Sequence, residues 1–270
     1  MKAAYKLDYE IFERPNKNTN PKPKIWFAFH GIGQNTEAFK YFANQNNFKI
    51  YSFGLFYHEK IYTENIKQTT LKNWLTLMQQ FLEDEKINFQ ENSISIIGFS
   101  LGVRPALQFV SHFSKLTSRP IFINEIILIA PETLAISNWY RFGTQTNAGK
   151  FLLKKVVDSD SFKEIIISIS SLIFSQDAQK LIRYQIYHGI NSLASAWIAY
   201  RSFEIYGKEW KEIYDNHKAE ITIVASENDN FVNLKKIQSF IKKNSDDKGK
   251  SIKWIISKSP HAQLLREFRL

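Results

Sequence analysis

Ser93-Ile94-Ser95-Ile96-Ile97-Gly98-Phe99-Ser100-Leu101-Gly102 decides how this chain is read. An apolar run, Ser93–Ile97, ends in Gly-x-Ser-x-Gly, and Ala106, Phe109, Val110 and Phe113 then recur at helical spacing. A serine at such a strand-to-helix turn sits in a strained conformation, crowded by the residues two before and two after it. Glycines at 98 and 102 relieve that crowding and leave the Ser100 hydroxyl exposed above the sheet at a helix N-terminus. Gly-x-Ser-x-Gly alone occurs by chance, and a glycine-lined helix start in an inactive or phosphate-binding fold is the competing explanation. The strand before it and the helix after it are the context that the motif requires.

Outward from this turn the chain repeats the same rhythm. Ile25–His30, Lys49–Phe53, Ile126–Ala130, Ile221–Ala225 and Ile252–Ile256 are further apolar runs, of the kind that suits strands covered on both faces. Helical patterns lie between most of them. Leu71, Trp74, Leu75, Met78, Phe81 and Leu82 recur at three and four, as do Leu234, Ile237, Phe240 and Ile241. Strand, helix, strand, repeated, predicts an α/β fold with a mostly parallel central sheet flanked by helices. Tyr5, Leu7, Tyr9 and Ile11 alternate with charged residues and predict an edge strand with one buried face. Residues 131–218 break the rhythm with helical-looking segments and no clear strand. The expected organisation is a core domain of residues 1–130 and 219–270, with 131–218 inserted as a helical cap over the carboxyl edge of the sheet.

Composition narrows the classes further. With 270 residues, 44% of them hydrophobic and 15% aromatic, the chain can bury a sizeable core, which excludes wholesale disorder. Zero cysteines exclude disulfides, thiolate metal sites and a cysteine nucleophile. The net charge is +10, and residues 235–270, with ten basic and three acidic side chains, carry most of the excess. No nucleic-acid motif accompanies those lysines, so they are read as a solvated face, and no nucleic-acid partner is expected. The longest apolar stretch, Ile165–Phe174, is half of a membrane span and holds three serines, so no stable membrane insertion is expected. Residues 1–20 are polar and lack a secretory leader pattern, and the expected location is the cytoplasm.

Ser100 needs a base, and the chain offers six histidines, at 30, 58, 112, 188, 217 and 261. His261 follows the last strand pattern in Lys258-Ser259-Pro260-His261, at the sheet edge to which Ser100 also points. The imidazole in turn needs a carboxylate to hold its tautomer. Asp229, in Ala225-Ser226-Glu227-Asn228-Asp229, follows the preceding strand and is the first choice, with Glu227 and Glu132 as runners-up. Two backbone N–H groups are needed for the oxyanion, each worth about 3 kcal/mol. One is that of Leu101. The other falls by position to Ile32, in the loop His30-Gly31-Ile32-Gly33-Gln34, where Gly31 and Gly33 let the backbone approach closely.

These segments together resemble the capped serine hydrolases of the α/β-hydrolase superfamily, with a His-Gly-x-Gly oxyanion loop (His30, Gly31, Gly33), a Gly-x-Ser-x-Gly elbow (Gly98, Ser100, Gly102) and a late Asp and His. The match spans about residues 24–130 and 219–265. It implies the α/β-hydrolase fold, Ser100 as nucleophile, Asp229 and His261 as its partners, and the Ile32 and Leu101 amides as oxyanion hole. Val103, and Ser259-Pro260 ahead of the histidine, depart from the residues many relatives carry there. The expected activity is cleavage of a small ester or thioester through an acyl-enzyme. Hydrolysis of a carbon–carbon bond or a lyase step with the same residues is the alternative, as is a binding protein without turnover. An apolar acyl or aromatic part suits a substrate under a cap this rich in Phe, Leu and Ile. No glycine-rich dinucleotide fingerprint and no metal-ligand spacing is present, so neither cofactor nor metal is expected.

Overall fold

The computed structural model describes residues 7–13, 23–45, 48–56, 58, 69–87, 93–116, 122–136, 138–149, 199–216, 218–245 and 252–268, together with isolated positions between 151 and 196. In chain order these give β1 (Tyr9–Glu13), β2 (Lys24–Phe29), α1 (Lys40–Gln45), β3 (Phe48–Phe53), α2 (Leu71–Asp84), β4 (Ile94–Phe99) and α3 (Val103–Leu116). There follow β5 (Ile123–Ile129), α4 (Asn138–Gln145), α5 (Gly207–Asn216), β6 (Glu220–Ser226), α6 (Leu234–Asn244), β7 (Ile252–Ser257) and α7 (His261–Glu267). All six apolar runs of the sequence are strands. Thr70 and Asn233 cap α2 and α6, their side chains accepting from the amides of Asn73 and Lys236.

The strands form one sheet in the order β1-β3-β2-β4-β5-β6-β7. Only β1 is antiparallel, against β3; every other neighbouring pair is parallel. The chain leaves β2 towards β3 on one side and leaves β4 towards β5 on the other. The loops after β2 and β4 therefore part in opposite directions and open a crevice at the carboxyl ends of two adjacent strands. His30–Gln34 and Ser100–Gly102 occupy those two loops.

Aromatic packing fills the sheet's interior around Phe27. Its ring is fully buried and meets Tyr51 and Phe53 of β3, Phe81 of α2 and Phe109 of α3 edge-on, at centroid distances of 5.3 to 5.8 Å. Residues 200–216 join the same core. Tyr200 and Phe203 pack on Phe56 and Trp74, and Trp210, Ile213 and Tyr214 of α5 are buried where α5 meets α3 and α6.

β1 departs from the alternation read in the sequence. Leu7 is buried and Tyr9 packs on Tyr51, Phe53 and Phe81, but Ile11 is 43% exposed, while Phe12 on the opposite face packs against the core. The reason is where α2 stops. Glu85, its C-cap, accepts hydrogen bonds from the hydroxyls of Tyr9 and Tyr51, and beyond that point no helix covers Ile11 among the described residues. Tyr5 lies outside the described residues.

Phe27→Ala is expected to lower the unfolding free energy by about 3–5 kcal/mol, since four rings lose their shared neighbour. Ile11→Ala is expected to change it by less than about 0.5 kcal/mol. Urea midpoints of the two variants check both values.

Candidate active site

Ser100 closes the turn between β4 and the 3-10 segment Ser100–Gly102 that leads into α3. Its φ is +51°, in the left-handed region that a side chain rarely adopts. Gly98 and Gly102 make that possible. A Cβ on Gly98 would lie 2.8 Å from the Cα of Val103. One on Gly102 would overlap the carbonyl oxygens of Phe29 and His30, because here the start of the helix passes directly over the end of β2.

Two distant segments meet the serine. His261, the first residue of α7, places Nε2 3.1 Å from Ser100 Oγ. Its Nδ1 stands 2.6 Å from Oδ2 of Asp229, whose side chain is buried. The other oxygen of that carboxylate accepts from the backbone N–H groups of Phe231 (2.8 Å) and Val232 (2.9 Å). Oδ1 is thus held by the protein and Oδ2 is aimed at the ring. A carboxylate only accepts, so the N–H of His261 sits on Nδ1 and Nε2 is left to accept from the serine hydroxyl. Phe99 and Phe231 flank the imidazole at centroid distances of 5.1 and 5.3 Å and restrict its rotation.

The two other carboxylates considered from the sequence lie elsewhere. Glu227 is exposed at the end of β6, its amide bonded to the Ser257 carbonyl. Glu132 accepts from Nε of Arg104 at 2.5 Å. Arg104 is fully buried, reaches Glu204 at 3.8 Å and donates to the Tyr200 carbonyl. A charged residue at a core-facing position of α3, four after the serine, was the sequence signal for this network.

Three amides of the loop after β2 are held. Gly31 N–H donates to Oε1 of Gln34 (2.9 Å), Gln34 N–H to the Gly31 carbonyl (3.2 Å) and Gly33 N–H to Nε2 of His58 (3.0 Å). Among the described residues the Ile32 N–H has no such acceptor. Leu101 stands at the start of a helix, where amides have no intrahelical acceptor. Gly33 takes a φ of +72° to make this turn, which is why glycine is needed there.

His30 is completely buried beneath the loop. It donates from Nδ1 to the Gly31 carbonyl (2.9 Å), while Nε2 accepts from the Leu55 amide (3.3 Å). Burial, aided by His58 5.3 Å away, pushes its pKa down to about 3 despite the opposing bond to Gly31. Burial also lowers that of His58. Both rings are neutral, and a proton on either Nε2 would turn an acceptor towards an N–H. No positional signal in the sequence marked His58, because only the folded chain brings the loop after β3 under the loop after β2. His188, His217 and the aromatic residues at 162, 184, 187 and 197 lie outside the described residues.

The chain adopts the α/β-hydrolase fold. Solved structures align with it over nearly its whole length. MenH from S. aureus matches 96% of this chain and 92% of its own at a TM-score of 0.62 and 19% identity. A hydrolase from Pseudomonas aeruginosa matches 97% and 89% at 0.64 and 10% identity. The enol-lactonase from Burkholderia xenovorans matches 95% and 90% at 0.60 and 11% identity. No family model matches the sequence, and neither does any curated protein. On this α/β-hydrolase frame, no helix among the described residues is long and apolar enough to cross a membrane.

The buried histidines set a pH dependence of stability. Their folded pKa values lie below the unfolded value of about 6.5, so on acidification below about pH 6.5 the unfolded chain binds more protons than the folded one, for His30 down to about pH 3. Stability is therefore full above pH 6.5 and falls on acidification, by up to about 1.4 kcal/mol per pH unit for each ring. Urea unfolding at pH 7.5 and 5.0 is expected to show this loss, with a smaller slope in His30→Gln.

Proposed function

We propose that this protein is a serine hydrolase that cleaves a small ester or thioester through an acyl-enzyme intermediate. The observation that carries the reading is the continuous hydrogen-bonded line from Ser100 Oγ through His261 to a buried, doubly anchored Asp229. Ser100 Oγ attacks the substrate carbonyl while its proton passes to Nε2 of His261. Asp229, hydrogen-bonded at Nδ1, stabilises the imidazolium and keeps its orientation. The carbonyl oxygen, now anionic, is received by the N–H groups of Ile32, from the loop after β2, and Leu101, from the helix start. His261 returns its proton to the departing alcohol or thiol. Water, activated by the same imidazole, then attacks the acyl-enzyme and regenerates the serine.

The names of the aligned structures, a hydrolase and an enol-lactonase among them, agree with this chemistry. Phe231, 42% exposed beside His261, supplies an aromatic surface at the mouth of the site and supports a substrate with an apolar acyl or aromatic part. The insertion before Ala199 is proposed as the cap over this mouth. Residues 200–216, which belong to that insertion by sequence pattern, pack their buried side chains against the helices of the sheet domain.

Incubation with a fluorophosphonate is expected to give one adduct by intact mass, absent in Ser100→Ala. The same variant and His261→Ala should lose about 10⁴-fold or more in kcat on 4-nitrophenyl esters. Asp229→Asn should fall about 10⁴-fold, because it presents the wrong partner to Nδ1. Glu132→Gln acts on Arg104 instead and should lower stability more than turnover; the reverse result overturns the choice of acid.

A further inference from the structure

Two buried imidazoles, His30 and His58, take no part in this mechanism, and His58 is the one that holds an amide of the loop carrying Ile32. His58 is 9% exposed, with Nε2 3.0 Å from the Gly33 amide nitrogen and Nδ1 3.1 Å from the Phe56 carbonyl. A backbone N–H can only donate, so Nε2 is bare and accepts from Gly33, while Nδ1–H donates to Phe56. One tautomer satisfies both bonds, and a single nitrogen is thereby assigned to the loop.

The segment that carries His58 is itself held from several sides. Gly54 N–H donates to the Asp8 carbonyl (2.9 Å), Leu55 N–H to Nε2 of His30 (3.3 Å), Phe56 N–H to the Tyr200 hydroxyl (2.8 Å) and His58 N–H to the Leu55 carbonyl (2.9 Å). The carbonyl of Tyr200 accepts from Arg104, four residues after Ser100. The chain ahead of β1, the end of β2 and the helix that follows the serine thus share one polar scaffold. From it His58 reaches Gly33.

We propose that His58 is a positioning residue for the oxyanion loop. Gln34 holds the Gly31 N–H on one side of Ile32 and His58 holds the Gly33 N–H on the other, so the Ile32 amide between them is set in place before substrate arrives. A donor placed in advance gives up no free energy to reorganisation when the oxyanion forms, which is the source of its effect on the transition state. The inference rests on the hydrolase reading above, and it makes a claim of its own about the Gly33 amide.

The test compares His58→Gln, whose Oε1 replaces Nε2 as acceptor, with His58→Phe, which keeps a ring and removes the acceptor. On 4-nitrophenyl butyrate, His58→Phe is expected to lose on the order of 100-fold in kcat with KM within about twofold, and His58→Gln to stay within about fivefold of the parent. Amide exchange by NMR is expected to show Gly33 protected in the parent and in His58→Gln and fast in His58→Phe. Equal loss in the two variants, a rise in KM with kcat retained, or unchanged Gly33 exchange in His58→Phe overturns the proposal. If His58→Phe does not fold, imidazole ¹⁵N shifts of the parent decide, and a protonated Nε2 on His58 overturns it. Absence of Ser100-dependent turnover in the parent defeats the hydrolase reading and the catalytic part of this inference together. Gly33 exchange still judges the anchor by itself.

Discussion

A single close approach of backbone to backbone underlies the arrangement around Ser100. The Cα of Gly102 passes over the end of β2 so closely that any side chain there would run into the carbonyl oxygens of Phe29 and His30. That contact brings the start of α3 down onto the sheet, and the chain between β4 and α3 has room only for a turn with Ser100 at positive φ. The strain of that residue, of the order of 1–3 kcal/mol, is held by the surrounding packing. The same approach sets the end of β2, from which the loop His30–Gln34 departs, against the turn that carries the serine.

Around this turn the polar groups are fixed before any substrate is present. Asp229 has one oxygen tied to two backbone amides and the other turned to His261, so the imidazole faces a carboxylate with little freedom to swing. His30 and His58, kept neutral by burial, act as hydrogen-bonding parts of the framework, each donating through Nδ1 and accepting through Nε2. Arg104 is buried at a desolvation cost, and its bond to the partly exposed Glu132 gives that carboxylate a partner other than His261. Three ionisable pairs or rings thus hold the scaffold, and a fourth, His261 with Asp229, faces the serine.

Much of this was legible in the residues. Apolar runs such as Ile25–His30 and Ile221–Ala225 are strands because a parallel sheet covered on both faces needs continuous apolar sequence, a signal that survives without any partner information. Gly98, Ser100 and Gly102 stand within five residues of one another, and a local steric requirement of that kind is written locally. Asp229 and His261 were found through position alone, since each follows a strand whose carboxyl end must lie at the same sheet edge. β1 was read less well. The alternation through Ile11 implied a buried face, but cover by α2 ends at Glu85, and where a helix ends over a neighbouring strand is not encoded in the strand.

By itself, then, the sequence determined the order of strands and helices, the strained turn at Ser100 and the residues available to work with it, because each follows from local sterics and from apolar periodicity. Only the tertiary structure decided which carboxylate faces His261, which side chains support the loop around Ile32, and that residues 200–216 belong to the core. Those outcomes depend on segments far apart in the chain, Phe56 with Tyr200 and Gly33 with His58 among them. A buried hydrogen bond between such segments is chosen by where the packed sheet and helices bring donor and acceptor, and no spacing along the chain records that distance.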